Sequence, residues 1–144
     1  MKILVINGPN MNMLGKREKR LYGEKTLSDL EDAVFEEAKR LGIETEFFQT
    51  NYEGAIVEKI QQADSVFDGI ILNPAGYTHT SVAIRDAIAS VDVPVVEVHI
   101  TNIFAREDFR SKSVTGGAAK GVIAGLGIYG YVLALKFFAD IFSS

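Results

Sequence analysis

Short apolar runs alternate along this chain with longer segments whose apolar residues recur at helical spacing. An unbroken apolar run is typical of a strand that a parallel sheet buries on both faces. Such runs predict five strands, at residues 3–6, 44–49, 69–72, 93–99 and 121–125. The second run is the least apolar, which predicts that it lies nearer an edge of the sheet. Helical spacing predicts four helices, at residues 27–41, 51–63, 82–88 and 128–142.

The first and last of these helices have contrasting patterns. The first carries one apolar stripe, which is formed by Leu27, Leu30, Val34, Ala38 and Leu41. Either Thr26 or Ser28 can cap its start, and Gly42 ends it. The last helix is apolar on nearly all sides. We therefore expect it to be wholly buried or to lie at a subunit interface.

Alternating strands and helices without an internal repeat are typical of an α/β protein. We predict a three-layer sandwich of flavodoxin-like type, in which helices cover both faces of a five-stranded parallel sheet. Right-handed crossovers leave few other topologies. A chain of 144 residues has room for one such domain, so residues 1–144 are predicted to form a single unit. In this topology the loops that follow the strands meet at one edge of the sheet.

Composition narrows the classes of function. The formal net charge of the chain is −4, whereas nucleic-acid-binding proteins usually have a basic surface. No nucleic-acid partner is therefore expected. The chain has no cysteine, which excludes disulfides and thiolate metal sites. Its start does not resemble a secretory signal, and its longest apolar stretch, residues 126–142, is interrupted by glycines and charged residues. We therefore expect a cytoplasmic protein without a membrane partner.

The loop after the third predicted strand is the leading candidate for a functional site. This loop, residues 73–81, carries the amide of Asn73, the imidazole of His79 and several hydroxyl groups. Ligand sites of open α/β sheets lie at the carboxyl ends of the strands, as this loop does. The turn at residues 7–10 follows the first strand. It is either a turn alone or one that contributes at least one functional amide.

A charged segment, residues 16–20, lies between Gly15 and Gly23 and shows no clear period. The glycines suggest a mobile loop with hinge-like ends. Its charges form either a solvated face or the surroundings of a functional group. In the second interpretation Arg17 makes the nearby phenol of Tyr22 more acidic, because a guanidinium favours the phenolate.

The two histidines of the chain, His79 and His99, both fall at strand ends. Two imidazoles at one edge of a sheet favour a functional role over a structural one. Glu97 precedes His99 by two residues on the fourth strand, so the two side chains share a face about 7 Å apart at Cβ. The carboxylate is thus placed to orient the imidazole. A metal site is the alternative, but these residues lack a compact ligand spacing, so no metal is expected.

Arg106 and Arg110 lie four residues apart in a long polar loop, residues 100–120. They are either surface arginines on one helical turn or a clamp for an anionic or hydroxylated ligand. The chain has no nucleotide-binding glycine fingerprint and no Walker lysine motif, so no cofactor is expected.

For each of three rival classes of protein, the chain lacks a feature that the class needs. A signalling receiver needs an aspartate where Asn73 stands. A flavin-binding module needs a phosphate-binding loop after the first strand, where Gly8-Pro9-Asn10 supplies few donors. A serine hydrolase needs a nucleophile elbow around Ser81.

Six short segments combine these features in a particular order. They are Ile6–Asn10, Arg17-Glu18 with Tyr22-Gly23, Thr78–Ser81, Glu97–Ile100, Ala105–Arg110 and Gly125–Gly127. Each is weak alone, but together their identity and spacing resemble type II 3-dehydroquinate dehydratase from residue 3 almost to the end of the chain. The resemblance implies the reversible removal of water from 3-dehydroquinate to give 3-dehydroshikimate. This reaction belongs to the shikimate pathway of aromatic amino-acid biosynthesis or to quinate catabolism.

The resemblance also implies catalytic roles by matching position, in an anti elimination through an enolate without a Schiff base or a metal. Tyr22 would be the tyrosinate that takes a proton from C2, beside the ketone, and Arg17 would favour its ionised form. Asn10 would help to stabilise the enolate through a water. His99, oriented by Glu97, would be the general acid that protonates the leaving C1 hydroxyl.

Further matching positions imply substrate binding and assembly. The groups that would hold the carboxylate and hydroxyls of the substrate are Asn73, His79, Arg110 and the backbone at Ile100 and Thr101. Asp86 would reach the site of a neighbouring subunit. The family forms trimers that assemble into dodecamers, which implies a homo-oligomer of that kind and suits the apolar last helix.

Two positions depart from the family pattern. Lys19 stands where the family has a proline after Arg-Glu, which loosens the loop and adds charge near Tyr22. Pro74 follows Asn73 where the family has alanine, which stiffens the backbone beside a binding amide.

Overall fold

The computed structural model describes residues 1–143, in which strands alternate with helices. The strands are β1 (Lys2–Asn7), β2 (Glu44–Gln49), β3 (Gly69–Asn73), β4 (Val95–His99) and β5 (Gly121–Ala124). The α-helices are α1 (Lys19–Tyr22), α2 (Leu27–Leu41), α3 (Glu53–Ala63), α4 (Val82–Ser90) and α5 (Tyr129–Phe142). Short 3₁₀ helices span Met11–Met13, Ala75–His79, Ile103–Ala105, Asp108–Arg110 and Gly116–Ala118.

The strands form one parallel sheet in the order β2-β1-β3-β4-β5. The predicted flavodoxin-like α/β fold is therefore confirmed. The least apolar strand, β2, lies at an edge, as expected. The three central strands end in Asn7, Asn73 and His99, and the first two are register partners. The loops that follow these strands consequently begin side by side.

Side-chain alternation along β1 divides the core into two layers. Ile3 and Val5 face α2 and α5, whereas Leu4 and Ile6 face α3 and α4. All four side chains are fully buried. Helices thus cover both faces of the sheet, which gives the three layers that were predicted.

Helix α2 has its predicted bounds because the sequence carries signals for both of its ends. The Thr26 hydroxyl accepts a hydrogen bond from the Asp29 N–H, and the Asp29 carboxylate accepts one from the Thr26 N–H. This reciprocal pair is a capping box, so Thr26 is the cap and Ser28 is not. Gly42 ends the helix in the left-handed region, at φ 73°.

Strand β4 begins two residues later than predicted. Pro94 has no N–H to donate to the sheet, and pairing with β3 starts at Val95. The Pro94 carbonyl still accepts a hydrogen bond from the Ile70 N–H at 2.9 Å. The proline therefore sets the start of the strand.

The segment between β1 and α2 contains local structure that its sequence did not predict. It includes a 3₁₀ turn at Met11–Met13 and the one-turn helix α1. Helix α1 has four residues, of which only Lys19 and Arg20 belong to the charged run, and four residues are too few to show an apolar stripe. Gly15 and Gly23 adopt φ of 83° and 78°, which favours glycine at both ends of the charged run.

Helix α5 is not wholly buried in a single chain. Tyr131 and Phe138 lie on its buried face, whereas Ile141 and Phe142 remain nearly half exposed. The expectation of complete burial is therefore wrong for the isolated chain, and the interface alternative stays a prediction. Within residues 1–143, no helix is both long and apolar enough to cross a membrane.

Candidate active site

A cavity lies where the central strands end. It is lined by most of the residues that were predicted to form the site, namely Asn10, Arg17, Tyr22, Asn73, His79, His99, Ile100, Thr101 and Arg110. Arg106 lines it as well. Glu97 lies behind His99, and Asp86 lies on the exposed side of α4, apart from this cavity. The loops after three parallel strands thus bring distant parts of the chain together.

The phenol of Tyr22 lies close to two guanidinium groups. Arg106 Nη1 donates a hydrogen bond to the Tyr22 hydroxyl oxygen at 2.7 Å, and its side chain is only 7% exposed. The guanidinium carbons of Arg17 and Arg106 lie 5.1 and 5.3 Å from the centroid of the ring. Arg17 therefore contacts the ring, and Arg106 contacts the oxygen. Both cations are placed to stabilise negative charge on the phenol.

The imidazole of His99 is paired with a buried carboxylate. His99 Nε2 lies 2.8 Å from Glu97 Oε2, and Glu97 is fully buried. Burial by itself raises the pKa of Glu97, but hydrogen bonds from His99, Thr115 and Ser113 outweigh it, and the pKa lies below its usual value. Glu97 is therefore ionised at neutral pH, and His99 Nε2 donates to it. This pairing agrees with the predicted orienting role of Glu97.

The other histidine of the cavity, His79, contacts the backbone of the long loop at residues 100–120. Its Nδ1 lies 2.8 Å from the Lys112 carbonyl oxygen. A carbonyl only accepts, so Nδ1 carries the proton. In the neutral imidazole, Nε2 of His79 is then the nitrogen that can accept a hydrogen bond.

The amide of Asn73 is bound on its inner side by a buried network. Its Oδ1 accepts a hydrogen bond from the Ala75 N–H at 3.0 Å, and its Nδ2 donates to the Tyr131 hydroxyl at 3.1 Å. The Tyr131 hydroxyl donates to Asn7 Oδ1 at 2.5 Å. Burial raises the pKa of Tyr131, so its phenol stays neutral and remains a donor. This network joins α5 to the ends of β1 and β3 beneath the cavity.

Gly8 allows the two central loops to approach each other closely. Its N–H donates to the Asn73 carbonyl at 2.8 Å. A Cβ at this position would lie 2.6 Å from the Pro74 carbonyl oxygen. Pro74 itself adopts φ −71° and ψ −7° and leads into the 3₁₀ helix that carries His79. The turn after β1 is therefore part of the framework of the site as well as a turn.

Comparison with known proteins shows the family of the chain. The chain matches the family described as Dehydroquinase class II over residues 1–139. The chain belongs to this family. Membership decides against the receiver, flavin-module and serine-hydrolase alternatives.

Individual relatives are similar over nearly their whole length. Proteins named 3-dehydroquinate dehydratase from Bacillus cereus (strain AH187) and Bacillus anthracis (strain A0248) are each 54% identical over 134 residues, which cover 93% of this chain and 92% of theirs. The crystal structure of the type II dehydroquinase from Butyrivibrio crossotus DSM 2876 has a TM-score of 0.94 at 50% identity, covering 96% of this chain and 97% of that one. The resemblance inferred from sequence motifs is thus confirmed.

Arg110 and Asn10 are two further polar residues that line the cavity. Arg110 Nε donates to Glu107 Oε1 at 3.0 Å, which holds the guanidinium beside the cavity. Asn10 adopts a left-handed φ of 69°, and its N–H donates to Asn51 Oδ1 at 3.0 Å. This backbone contact fixes the direction in which the Asn10 side chain leaves the chain.

Sequence reasoning missed several residues that contact the predicted ones. They are Asn7, Ser113, Thr115 and Tyr131. Arg106 was left between a surface and a ligand-binding interpretation, and its contact with Tyr22 decides for the cavity. Ser113 and Thr115 lie in a loop without a periodic pattern, so no sequence signal connects them to Glu97.

Proposed function

We propose that this protein removes water from 3-dehydroquinate to give 3-dehydroshikimate, in aromatic amino-acid biosynthesis or in quinate catabolism. Family membership and the names of the relatives support the reaction. One geometric observation carries the assignment to this site. A phenol that accepts a hydrogen bond from a buried guanidinium and an imidazole paired with a buried carboxylate line the same cavity. These groups are a base and an acid for an elimination.

Tyr22 acts as the base that takes a proton from C2, next to the ketone. The hydrogen bond from Arg106 and the positive charge of Arg17 stabilise its phenolate. The negative charge then moves from the phenolate to the enolate oxygen of the substrate. Asn10, at the rim of the cavity, stabilises that oxygen through a water.

His99 acts as the general acid that protonates the departing C1 hydroxyl. Hydroxide is a poor leaving group, so this proton is needed for the elimination to proceed. Glu97 accepts a hydrogen bond from His99 Nε2, so the proton given to the substrate leaves from Nδ1 of the protonated imidazole. Asn73, His79, Arg110 and the backbone of Ile100 and Thr101 hold the carboxylate and hydroxyls of the substrate.

Asp86 serves the site of a neighbouring subunit in a homo-oligomer of trimers that assemble into a dodecamer. Two observations support an assembly. Asp86 is exposed and lies apart from the cavity of its own chain. Apolar side chains of α5, including Ile141 and Phe142, remain nearly half exposed. Light scattering during size-exclusion chromatography measures the assembly, and a monomer would contradict it. We place this enzyme in the cytoplasm.

Incubation of the purified protein with 3-dehydroquinate tests the reaction. The product contains a carbon–carbon double bond conjugated with the ketone, so ultraviolet absorbance of the enone should rise with time. Tyr52→Phe is a matched control for Tyr22→Phe, because Tyr52 is 76% exposed and lies apart from the cavity. Absence of enone with the wild-type protein, at enzyme concentrations comparable to the substrate, would contradict the proposed function.

A further inference from the structure

The carboxylate of Glu97 is held by a short segment that lies outside the cavity. Ser113 Oγ donates a hydrogen bond to Glu97 Oε2 at 2.8 Å, and Thr115 Oγ1 donates to Oε1. The Gly116 N–H donates to Ser113 Oγ at 2.8 Å. This bond occupies the acceptor side of the serine and leaves its proton for Glu97. Because Glu97 and Thr115 are both buried, water does not compete for the hydrogen bond between them.

The same segment, residues 112–116, also contacts the loop that carries the other histidine. The Lys112 carbonyl accepts a hydrogen bond from His79 Nδ1 at 2.8 Å. The Val114 N–H donates to the Thr78 carbonyl at 2.8 Å. The hydroxyl groups of Ser113 and Thr115 thus contact Glu97 on β4. The backbone groups of Lys112 and Val114 contact the loop after β3. Its position is fixed from both sides.

Gly116 leaves room for this arrangement. A Cβ at residue 116 would lie 2.8 Å from Ser113 Oγ and 3.1 Å from Glu97 Oε2. A side chain there would displace either the serine or the carboxylate. The close approach of the backbone to Glu97 therefore depends on glycine.

We propose that Ser113 and Thr115 are positioning residues for the general acid, because they hold the Glu97 carboxylate that orients His99. This inference rests on the proposed function, in which His99 protonates the leaving hydroxyl. The two hydroxyls and His99 Nε2 donate three hydrogen bonds to the carboxylate, and each favours its ionised form over the neutral acid. An ionised Glu97 keeps a proton on Nε2 of His99 and leaves Nδ1 to deliver the other. Without the hydroxyls, the carboxylate can rotate and His99 can adopt the other tautomer.

Removal of each hydroxyl separately tests the proposal. Ser113→Ala and Thr115→Val should each lower kcat about tenfold, as expected for the loss of a hydrogen bond to a charged group. KM should stay within about twofold, because neither residue lines the cavity that binds substrate. Thr115→Ser keeps the hydroxyl and should restore most of kcat. A role of Thr115 in packing alone predicts no such rescue.

Matched controls come from the same residue types elsewhere. Ser111→Ala removes a hydroxyl from the same loop that bonds to the Asp108 carbonyl. Thr45→Val changes a threonine on β2, at the opposite edge of the sheet. Both variants should retain wild-type kcat.

The ¹⁵N resonances of the imidazoles give a readout that does not require turnover. The chain has two histidines, and a His79→Asn variant assigns their signals. At alkaline pH, where the imidazole is neutral, wild-type His99 without substrate should be in the Nε2–H tautomer, and the fraction of neutral rings with Nδ1–H should rise in Ser113→Ala and Thr115→Val. If Thr115→Val fails to fold, Ser113→Ala carries the test, since Ser113 is only partly buried.

Two results separate this inference from the function on which it rests. A wild-type protein that produces no enone would overturn the proposed function. An active wild-type protein whose Ser113→Ala and Thr115→Val variants both keep kcat within about twofold would overturn the positioning role alone, whatever the tautomer of His99.

Discussion

Replacing Arg106 with methionine measures how much the buried guanidinium contributes to catalysis. Methionine fills much of the volume of the arginine stem but has neither charge nor N–H. The contact that is lost is the 2.7 Å hydrogen bond to the Tyr22 oxygen, from a side chain that is 7% exposed. A hydrogen bond to a charged group contributes about 1.5–3 kcal/mol. If this free energy stabilises only the phenolate, its loss corresponds to a fall of about 10- to 150-fold in kcat/KM.

The dependence on pH distinguishes an electrostatic role from a structural one. Hydroxide in solution favours the phenolate as the pH rises, so the deficit of Arg106→Met should shrink toward alkaline pH. Initial rates of enone formation between neutral and alkaline pH measure this. Arg20→Met is the control, because it removes the same charge from α1 at an exposed position outside the cavity. A kcat/KM of Arg106→Met within about threefold of wild type, or an equal loss in Arg20→Met, would refute the reasoning.

The remaining predictions concern the base, the buried network and the ionised carboxylate. Tyr22→Phe should abolish turnover with little change in substrate affinity by calorimetry, and substantial residual activity would remove Tyr22 from the role of base. Tyr131→Phe should lower the free energy of unfolding by about 2–4 kcal/mol, because Asn7 and Asn73 each lose a buried partner. An unchanged midpoint of urea unfolding would show that the network does not stabilise the fold. Hydrogen bonds lower the pKa of Glu97 below its ordinary 4.5. Its ionisation therefore stabilises the fold above about pH 4.5, and this contribution is lost as the pH falls through the lowered pKa. In Glu97→Gln, the free energy of unfolding should therefore fall less steeply with decreasing pH in this range. Urea titrations at several pH values measure this, and a fall as steep as that of wild type would contradict this account.

Local patterns were sufficient to predict α2 within its observed bounds, because Thr26 and Gly42 supply its end signals within a few residues of the helix. They failed for α1, since a single turn is too short to show an amphipathic period. Most of the residues expected in the site line the cavity, because the topology of a parallel sheet determines where the loops after its strands meet.

The amino-acid sequence by itself determined the alternation of strands and helices, the edge position of β2 and the sheet end at which the site lies. These features depend on local periodicity and on general rules of chain connection, both of which can be read without coordinates. Only the tertiary structure decided that Arg106 contacts the Tyr22 oxygen, and that Ser113 and Thr115 hold Glu97. Those contacts join loop residues far apart along the chain. The packing of neighbouring loops sets their geometry, and no short-range pattern encodes it.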